Sequence, residues 1–437
     1  MATGLFLFQN DLRLNDNPAL SLAAAEVDRL ICVFCMPNGR VNNYPYSISQ
    51  YGKHRFQFLL QSLDDLSHKL EQHNQQLLVL LEHPLNILPE LITRYNISSI
   101  YSSEHVGTYE QRNWLTLKGR YPYISFKQAS THTLFDQTEL PFTLDSLPAS
   151  FSTFRRLIEN QPIESALDKV QKLPPPPPSF RAYDVISPML NTINQSAFQG
   201  GETAGLKQLQ AFFLTQKPSF YKETRNALDS WESSVKCSPW LALGCLSAKQ
   251  IIQALEQYQQ QATEPTSSSD WIKHDLLWRE YFQWYAHKYG CQLFQFKGIN
   301  ESAPHTAFYP ERFKRWCEGN TPYPLVNALM NQLKHTGYMP NCGREIVASC
   351  LTNELSLDWR YGASYFEEHL IDYDIAINWG GWQYFAGVST NAQSPPHYDI
   401  EQQSSLYDPN GIFIKKWKGD KHDGGLDSVD AADWPIW

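Results

Sequence analysis

The 437-residue sequence has no uninterrupted apolar run of about 18 residues, the length a membrane-spanning helix needs. No basic segment followed by an apolar stretch and a cleavage site opens it. The expectation is therefore a cytoplasmic protein with no membrane partner. The eight cysteines lack zinc-type spacing, so no metal is expected. The one C-x-x-C, Cys32 to Cys35, lies inside the apolar run LICVFC, where buried strand thiols fit better than a redox pair. No G-x-G-x-x-G follows the first apolar segment, which removes the usual dinucleotide fingerprint. No internal repeat is visible. Basic charge is in deficit, with 36 Lys and Arg against 45 Asp and Glu and a net charge of −9. Tight phosphate binding usually needs a basic face. Only short runs offer one: Arg155-Arg156, the set Arg312, Lys314 and Arg315, and Lys415-Lys416 with Lys418. Each reads as well as a solvated helix face or tail.

What is present is a globular composition, 42% hydrophobic and 19% charged, in a chain long enough for two cores. Residues 1–130 alternate apolar strands with helical patterns. Strands are expected at Leu5–Phe8, Leu30–Phe34, Leu77–Leu81, Ser99–Tyr101 and Tyr123–Phe126. Helices are expected at Pro18–Glu26, Tyr51–Gln72, Leu85–Tyr95 and Thr108–Gly119. That order predicts an α/β domain, a Rossmann-like parallel sheet covered on both faces. Residues 131–199 read as a connector, stiffened by Pro174–Pro178 and interrupted by a short helix near Phe154–Asn160. Residues 200–417 are helical in period, giving an all-α C-terminal domain, with turn signals at Gly290, Gly319-Asn320, Gly343 and Gly380-Gly381. The Gln- and Ser-rich stretch Glu256–Ser269 reads as an exposed loop, and residues 418–437 as a mobile tail.

Aromatic residues are abundant at 14%, with 13 Trp and 23 Tyr. They concentrate in NELSLDWRYGASYFEEHLIDYDIAINWGGWQYFAG, which runs from Asn353 to Gly387. Trp359, Tyr361, Trp379, Trp382 and Tyr384 there surround the carboxylates Asp372 and Asp374 and the amide Asn378. Asp374 and Asn378, four apart, would share a helix face. Indoles beside acid and amide groups suit a planar, polar, redox-active ring. By composition alone the segment is an aromatic-rich helical core. Upstream, SSVKCSPWLALG sets hydroxyls and free N–H groups just ahead of a helix, an arrangement that favours anions.

The wording of several segments resembles the cryptochrome/photolyase family, blue-light flavoproteins, and most of all its DASH branch. They are FQNDLRLNDNPAL, FSTFRRLIENQPI, LPPPPPSF, GGETAGLKQL, YKETRN, CSPWLALGCLS, LLWREYF, the run from Tyr323 to Arg360, the aromatic stretch above, and YDPNGIFIKKW. Together they span most of the chain in the family's order. The resemblance implies that the all-α domain binds FAD. It assigns Tyr221, Ser234 and Ser238 to the cofactor's phosphate side, and Arg279, Arg344, Asp372, Asp374 and Asn378 to its ring. Arg344 is expected to pair with Asp372 as a bidentate ion pair. Trp382 and Trp359 match the inner members of the family's electron relay. Asp275, Trp278, Asn341, Trp382 and Gln403 match its substrate side, with Asp275, Asn341 and Asn378 in catalytic roles.

Departures gather at particular positions. Val235 stands where a second hydroxyl is usual, Thr306 where the outer relay tryptophan is usual, and Cys342 where an arginine is usual. Asp275 replaces a glutamate, Asn327 an aspartate and Pro322 a glycine. Either Tyr309 or another aromatic takes over in the relay, or light-driven reduction is slow. The resemblance thus implies an FAD photolyase-type lyase that splits cyclobutane pyrimidine dimers, most readily in single-stranded DNA. Its rival is an FAD photoreceptor that repairs nothing and signals through a protein partner. A folate antenna (methenyltetrahydrofolate) is an expectation of the same kind, with Glu110 near its contact position. A monomer is expected.

Overall fold

The computed structural model describes residues 1–36, 51–183, 185–190, 197–262, 267–390 and 396–421. Five strands form one parallel sheet: β1 (Thr3–Phe8), β2 (Arg29–Cys35), β3 (Leu77–Leu80), β4 (Ser99–Ser103) and β5 (Ser125–Ala129). Their order is β3-β2-β1-β4-β5. Helices α1 (Pro18–Glu26), α2 (Lys53–Gln72), α3 (Pro84–Tyr95) and α4 (Thr108–Arg120) join them. Strand side chains alternate between two cores. Leu5, Leu7, Ile31, Val33, Leu78 and Leu80 pack on one face with Leu88 and Leu117. Phe6, Phe8, Leu30, Cys32 and Phe34 point the other way, into a core that continues into the helical part. Burial on both faces is why these strands read as unbroken apolar runs. Cys32 and Cys35 are free thiols of β2, and burial pushes the Cys35 thiol up to about 12.

The remaining helices are α5 (Phe151–Ile158), α6 (Ile186–Leu190), α7 (Glu202–Phe213), α8 (Tyr221–Thr224), α9 (Ser238–Ala242), α10 (Ala248–Gln261) and α11 (Asp270–Tyr289). They continue with α12 (Pro310–Glu318), α13 (Pro324–Thr336), α14 (Asn341–Ser349), α15 (Trp359–His369), α16 (Ile375–Phe385), α17 (Ile400–Tyr407) and α18 (Ile412–Lys416). Among the described residues beyond 200, β pairing is limited to one bridge, Ala307 to Leu357. The loop after β1 seats the sheet on these helices. Leu12 N donates to the Leu243 carbonyl (3.1 Å), and the fully buried Arg13 guanidinium donates to the Gly244 carbonyl (2.9 Å). Glu202 accepts from Leu14 N (3.1 Å) and Asn15 N (3.0 Å). Glu280, on α11, accepts from Leu134 N at 2.7 Å.

Several expectations need correction. β5 starts at Ser125 rather than Tyr123, because Ile124 N turns back to the Tyr121 carbonyl (3.0 Å). The short helix lies at Phe151–Ile158, earlier than Phe154–Asn160, since the Ser150 hydroxyl caps it. The proline run is strapped against the sheet, with Leu30 N donating to the Pro175 carbonyl (3.2 Å). Glu256–Gln261 is helical, the last turns of α10, where a Ser247–Gln250 capping box and helix-favouring glutamines outweigh the polar composition. Residues 263–266 of the expected loop lie outside the described residues.

Gly343, Gly380 and Gly381 end nothing; they sit inside α14 and α16. Gly380 lets Phe282 approach, since an added Cβ would stand 2.5 Å from its ring. The first residues of the expected tail are docked: the Asn327 side-chain nitrogen donates to the Gly419 carbonyl (3.2 Å). An aspartate there could not donate, which gives the Asn327 departure a physical reason. Residues 422–437 lie outside the described residues.

Candidate functional site

A cavity of about 730 Å³ opens among α8, α9, α11, α14 and α16. Its inner wall is built on helix starts. Asp374 precedes α16 in an extended conformation, and its Oδ1 accepts from Ala376 N (2.9 Å) and Ile377 N (3.1 Å). Its Oδ2 accepts from Gln283 Nε2 (2.8 Å) and stands 3.7 Å from Arg279 Nη2. Asp374 is thus the cap of the helix that carries Asn378 rather than its face-mate. The Asn378 side-chain nitrogen donates to the Ala363 carbonyl (3.0 Å), so its oxygen is the polar group left for a ligand. Asp372 receives Arg344 Nη2 at 2.8 and 2.7 Å and the Ser238 hydroxyl at 2.7 Å. One guanidinium nitrogen therefore straddles the carboxylate. The expected two-pronged pairing does not form, because Arg344 Nε is spent on the Met339 carbonyl (2.8 Å).

Ser234, Val235 and Lys236 line the same wall ahead of α9. Lys236 is buried with a left-handed backbone (φ 56°), and its ammonium lies 4.8 Å from the Tyr338 ring. Burial lowers its pKa to about 8, against the pull of the Asp372 charge. A buried cation without a carboxylate at salt-bridge distance among the described residues is a ready partner for a phosphate.

The rim is looser. Asp275 is engaged by Arg225 Nη1 (2.6 Å) and by the Tyr221 hydroxyl (3.0 Å). Asn341 donates to Glu345 Oε1 (2.8 Å), whose other oxygen accepts from the Tyr398 hydroxyl (3.1 Å). Desolvation raises the Glu345 pKa. Trp278, 38% exposed, stacks on Phe151 at 3.7 Å and 16°. Tyr384, 47% exposed, lines the rim as well.

The expected residues distribute as follows. Tyr221, Ser234, Ser238, Asp275, Trp278, Arg279, Asn341, Arg344, Asp372, Asp374, Asn378 and Trp382 all line this one cavity. Gln403, on α17, does not. Trp382 is 3% exposed, so the aromatic surface at the rim belongs to Trp278 and Tyr384 instead. Cys342 is turned off the wall, its thiol directed to the Asn226 carbonyl at 3.2 Å. Pro322 is likewise not part of the lining. Trp359 is fully buried, with Nε1 donating to the Phe296 carbonyl (3.2 Å). Sequence reasoning missed Arg225, Lys236, Tyr338 and Glu345. Most lie inside motifs it had singled out, but nothing in the linear order says which side chains turn inward.

Glu110 stands elsewhere, on α4 beyond the C-terminal end of β4, where the strand order reverses. Its Oε2 is buried without a hydrogen bond and lies 3.6 Å from His105 Nδ1. The His105 ring meets His132 at 6.0 Å, and His132 Nε2 is also buried without a partner. The Arg279 guanidinium donates to the His132 carbonyl, which ties this cluster to a residue of the cavity wall.

A parallel α/β sheet seated on a helical cage, with acids, an arginine and an amide facing one interior cavity, defines a photolyase-type flavoprotein. Comparison with known proteins agrees. Residues 4–178 match the DNA photolyase family model, and residues 271–420 match the FAD binding domain of DNA photolyase. Cryptochrome DASH of Idiomarina loihiensis is 48% identical over 434 residues, covering 99% of this chain and 96% of that one. Cryptochrome DASH of Vibrio parahaemolyticus is 43% identical, with 99% and 97% covered. The crystal structure of a Synechocystis cryptochrome superposes with a TM-score of 0.87 at 35% identity, covering 95% of this chain and 88% of that one. The chain belongs to the cryptochrome/photolyase family, in its DASH branch, and its cofactor is FAD.

Proposed function

We propose that this protein splits cyclobutane pyrimidine dimers under blue light, most readily in single-stranded DNA. The observation that carries this reading is the continuity of the cavity, from Asp372, Asp374 and Asn378 inside to Asp275, Trp278, Asn341 and Tyr384 at the rim. A base flipped from a strand and a flavin seated deeper would share one enclosure. A single strand lowers the cost of that flipping. FAD, when bound, supplies the electron that opens the dimer and takes it back.

Arg344, Arg279, Asp372 and Asp374 would fix the ring, and Tyr221, Ser234 and Ser238, with Lys236, would hold the phosphate side. The Asn378 oxygen would accept a proton-bearing ring nitrogen. Asp275 and Asn341 would orient the pyrimidine edges, with Trp278 and Tyr384 as stacking walls. Trp382 and Trp359 would carry electrons inward. The region beside Glu110 would take a folate antenna, since two buried polar atoms there, Glu110 Oε2 and His132 Nε2, lack hydrogen-bond partners. The proposed setting is a cytoplasmic monomer. Among the described residues no helix is long and apolar enough to cross a membrane.

One observation favours a second reading, an FAD photoreceptor that signals through a protein partner. Asp275 is already held by Arg225 and Tyr221, so it is less free to meet a base. The test is anaerobic illumination of chemically reduced protein with dimer-containing oligothymidylate. Recovery of thymine absorbance supports repair. Persistent dimer beside a bound, photoreducible flavin supports the receptor.

A further inference from the structure

Asp372 and Asp374 flank Tyr373 on the short link, residues 370–374, that joins α15 to α16. The spacing of the two acids therefore follows the setting of that tyrosine. Tyr373 is buried and lines the cavity with them. Its hydroxyl accepts from Trp379 Nε1 at 3.1 Å, which holds one end of the side chain. The face of its ring is covered from the α/β domain. The half-buried Arg55 of α2 places its guanidinium 4.4 Å over the Tyr373 ring and 4.6 Å over that of Tyr51, one cation shared by two rings. Arg55 Nη1 also donates to the Glu367 carbonyl, and Gly52 N, just ahead of α2, donates to the Glu368 carbonyl (2.8 Å). Both carbonyls belong to the last turn of α15, where a helix leaves acceptors unpaired and carries partial negative charge. The approach is close: a Cβ on Gly52 would stand 2.6 Å from the Glu368 oxygen.

Helix α2 bears on the link at a second point. Ile371 N donates to the Gly337 carbonyl (2.8 Å), and a Cβ on Gly337 would stand 2.6 Å from that of His54. Among the described residues, none of 1–130 lines the cavity. The α/β domain reaches the site from behind, with Arg55 against Tyr373. Lysine could not reproduce that contact. A guanidinium offers flat faces to two rings while its N–H groups bond in the plane between them, and an ammonium has no flat face.

We propose that Arg55 is a positioning residue of the flavin site, reaching from the α/β domain to lock Tyr373 and, through it, the Asp372 and Asp374 carboxylates. The inference rests on those two acids holding the FAD ring, and it does not depend on whether dimers are repaired. Arg55 is absent from the cavity lining whereas Tyr373 belongs to it, so Arg55 acts through the tyrosine. The α/β domain thereby shapes the cofactor's enclosure without contributing a ligand to it.

The test compares full-length wild type with Arg55→Met, Arg55→Lys, Tyr373→Leu and the double variant Arg55→Met/Tyr373→Leu. Flavin fluorescence gives the FAD dissociation constant, and visible circular dichroism of bound FAD reports the setting of the ring. The melting temperature of the FAD-free protein follows folding alone. Arg55→Met should weaken FAD binding about tenfold and alter the dichroism, as loss of a partner that orients ligand groups does. Arg55→Lys should fall between it and wild type. The double variant should bind FAD no more weakly than the weaker of its two single parents. Wild-type affinity and dichroism in Arg55→Met, whatever its melting temperature, would overturn the proposal, as would additive losses in the double variant. Should Arg55→Met fail to fold, Arg55→Lys decides, and wild-type affinity and dichroism there overturn it equally. Asp372→Ala separates the two claims. Wild-type FAD affinity in Asp372→Ala removes the reading of the acids and the proposal with it, whereas loss of FAD there beside wild-type binding in Arg55→Met removes the proposal alone.

Discussion

The inner wall of the cavity and its rim are made from the same residue types under opposite constraints. At the inner wall, Asp372 is buried and the Asp374 side chain is 10% exposed, and each accepts several internal hydrogen bonds from different helices. Their geometry is set before any ligand arrives, which is what binding a cofactor without reorganisation demands. At the rim, Asp275 and Asn341 are held by one or two partners each, beside half-exposed aromatics. A surface that must admit and release a large, flexible polymer cannot be so fixed. On the proposed function, over-determination marks the end that would hold the cofactor, and spare exposure the end that would meet the partner.

The comparison can be broken at its strongest point first. Asp372→Ala leaves the Arg344 guanidinium and the Ser238 hydroxyl facing a buried void. The expected cost is about 3–5 kcal/mol, read as loss of bound flavin colour and a lower melting temperature. Retention of FAD with wild-type melting would show that the inner wall is not over-determined. Gly362→Ala comes next. Its Cβ would lie 2.3 Å from the Trp382 ring, so denaturant midpoints should report about 1–3 kcal/mol of lost stability.

At the rim, Trp278→Ala should keep its FAD and lose about 1–3 kcal/mol of oligothymidylate binding, measured by fluorescence anisotropy. Loss of FAD instead would make the rim part of the cofactor site. The smallest effect sharpens the contrast by charge. Desolvation raises the Glu345 pKa, so its carboxyl keeps its proton to higher pH than a free glutamate. It contributes stability below the usual carboxylate range that is lost as pH rises through the raised value. Oligothymidylate binding should tighten slightly as pH falls through that window, and Glu345→Gln should abolish the dependence in a salt-matched titration.

Much of the fold was legible because its elements are punctuated by local chemistry. Asn17 and Pro18 start α1 where the sequence placed it, and the runs at Leu30 and Leu77 can only be strands buried on both faces. Errors arose where glycine and glutamine carry two meanings. Gly343 and Gly380 were read as turns because glycine breaks helices, whereas here it admits Met339 and Phe282 against a helix. Glu256–Gln261 looked like loop because its polarity hides a good helix propensity. At the site, the family resemblance pointed to the acids, the amide and the arginines, while Gln403 fell outside the cavity and Arg225 took up Asp275.

By itself the order of residues determined the βα alternation and the helical second half, which follow from period, capping and side-chain type acting over a few neighbours; the polar groups able to hold a flavin were pointed to by the family resemblance. Only the tertiary structure decided that Trp382 turns inward and Tyr384 outward, and that Cys342 leaves the wall. These depend on how α11, α15 and α16 pack, through contacts between residues far apart in sequence, which local pattern does not encode.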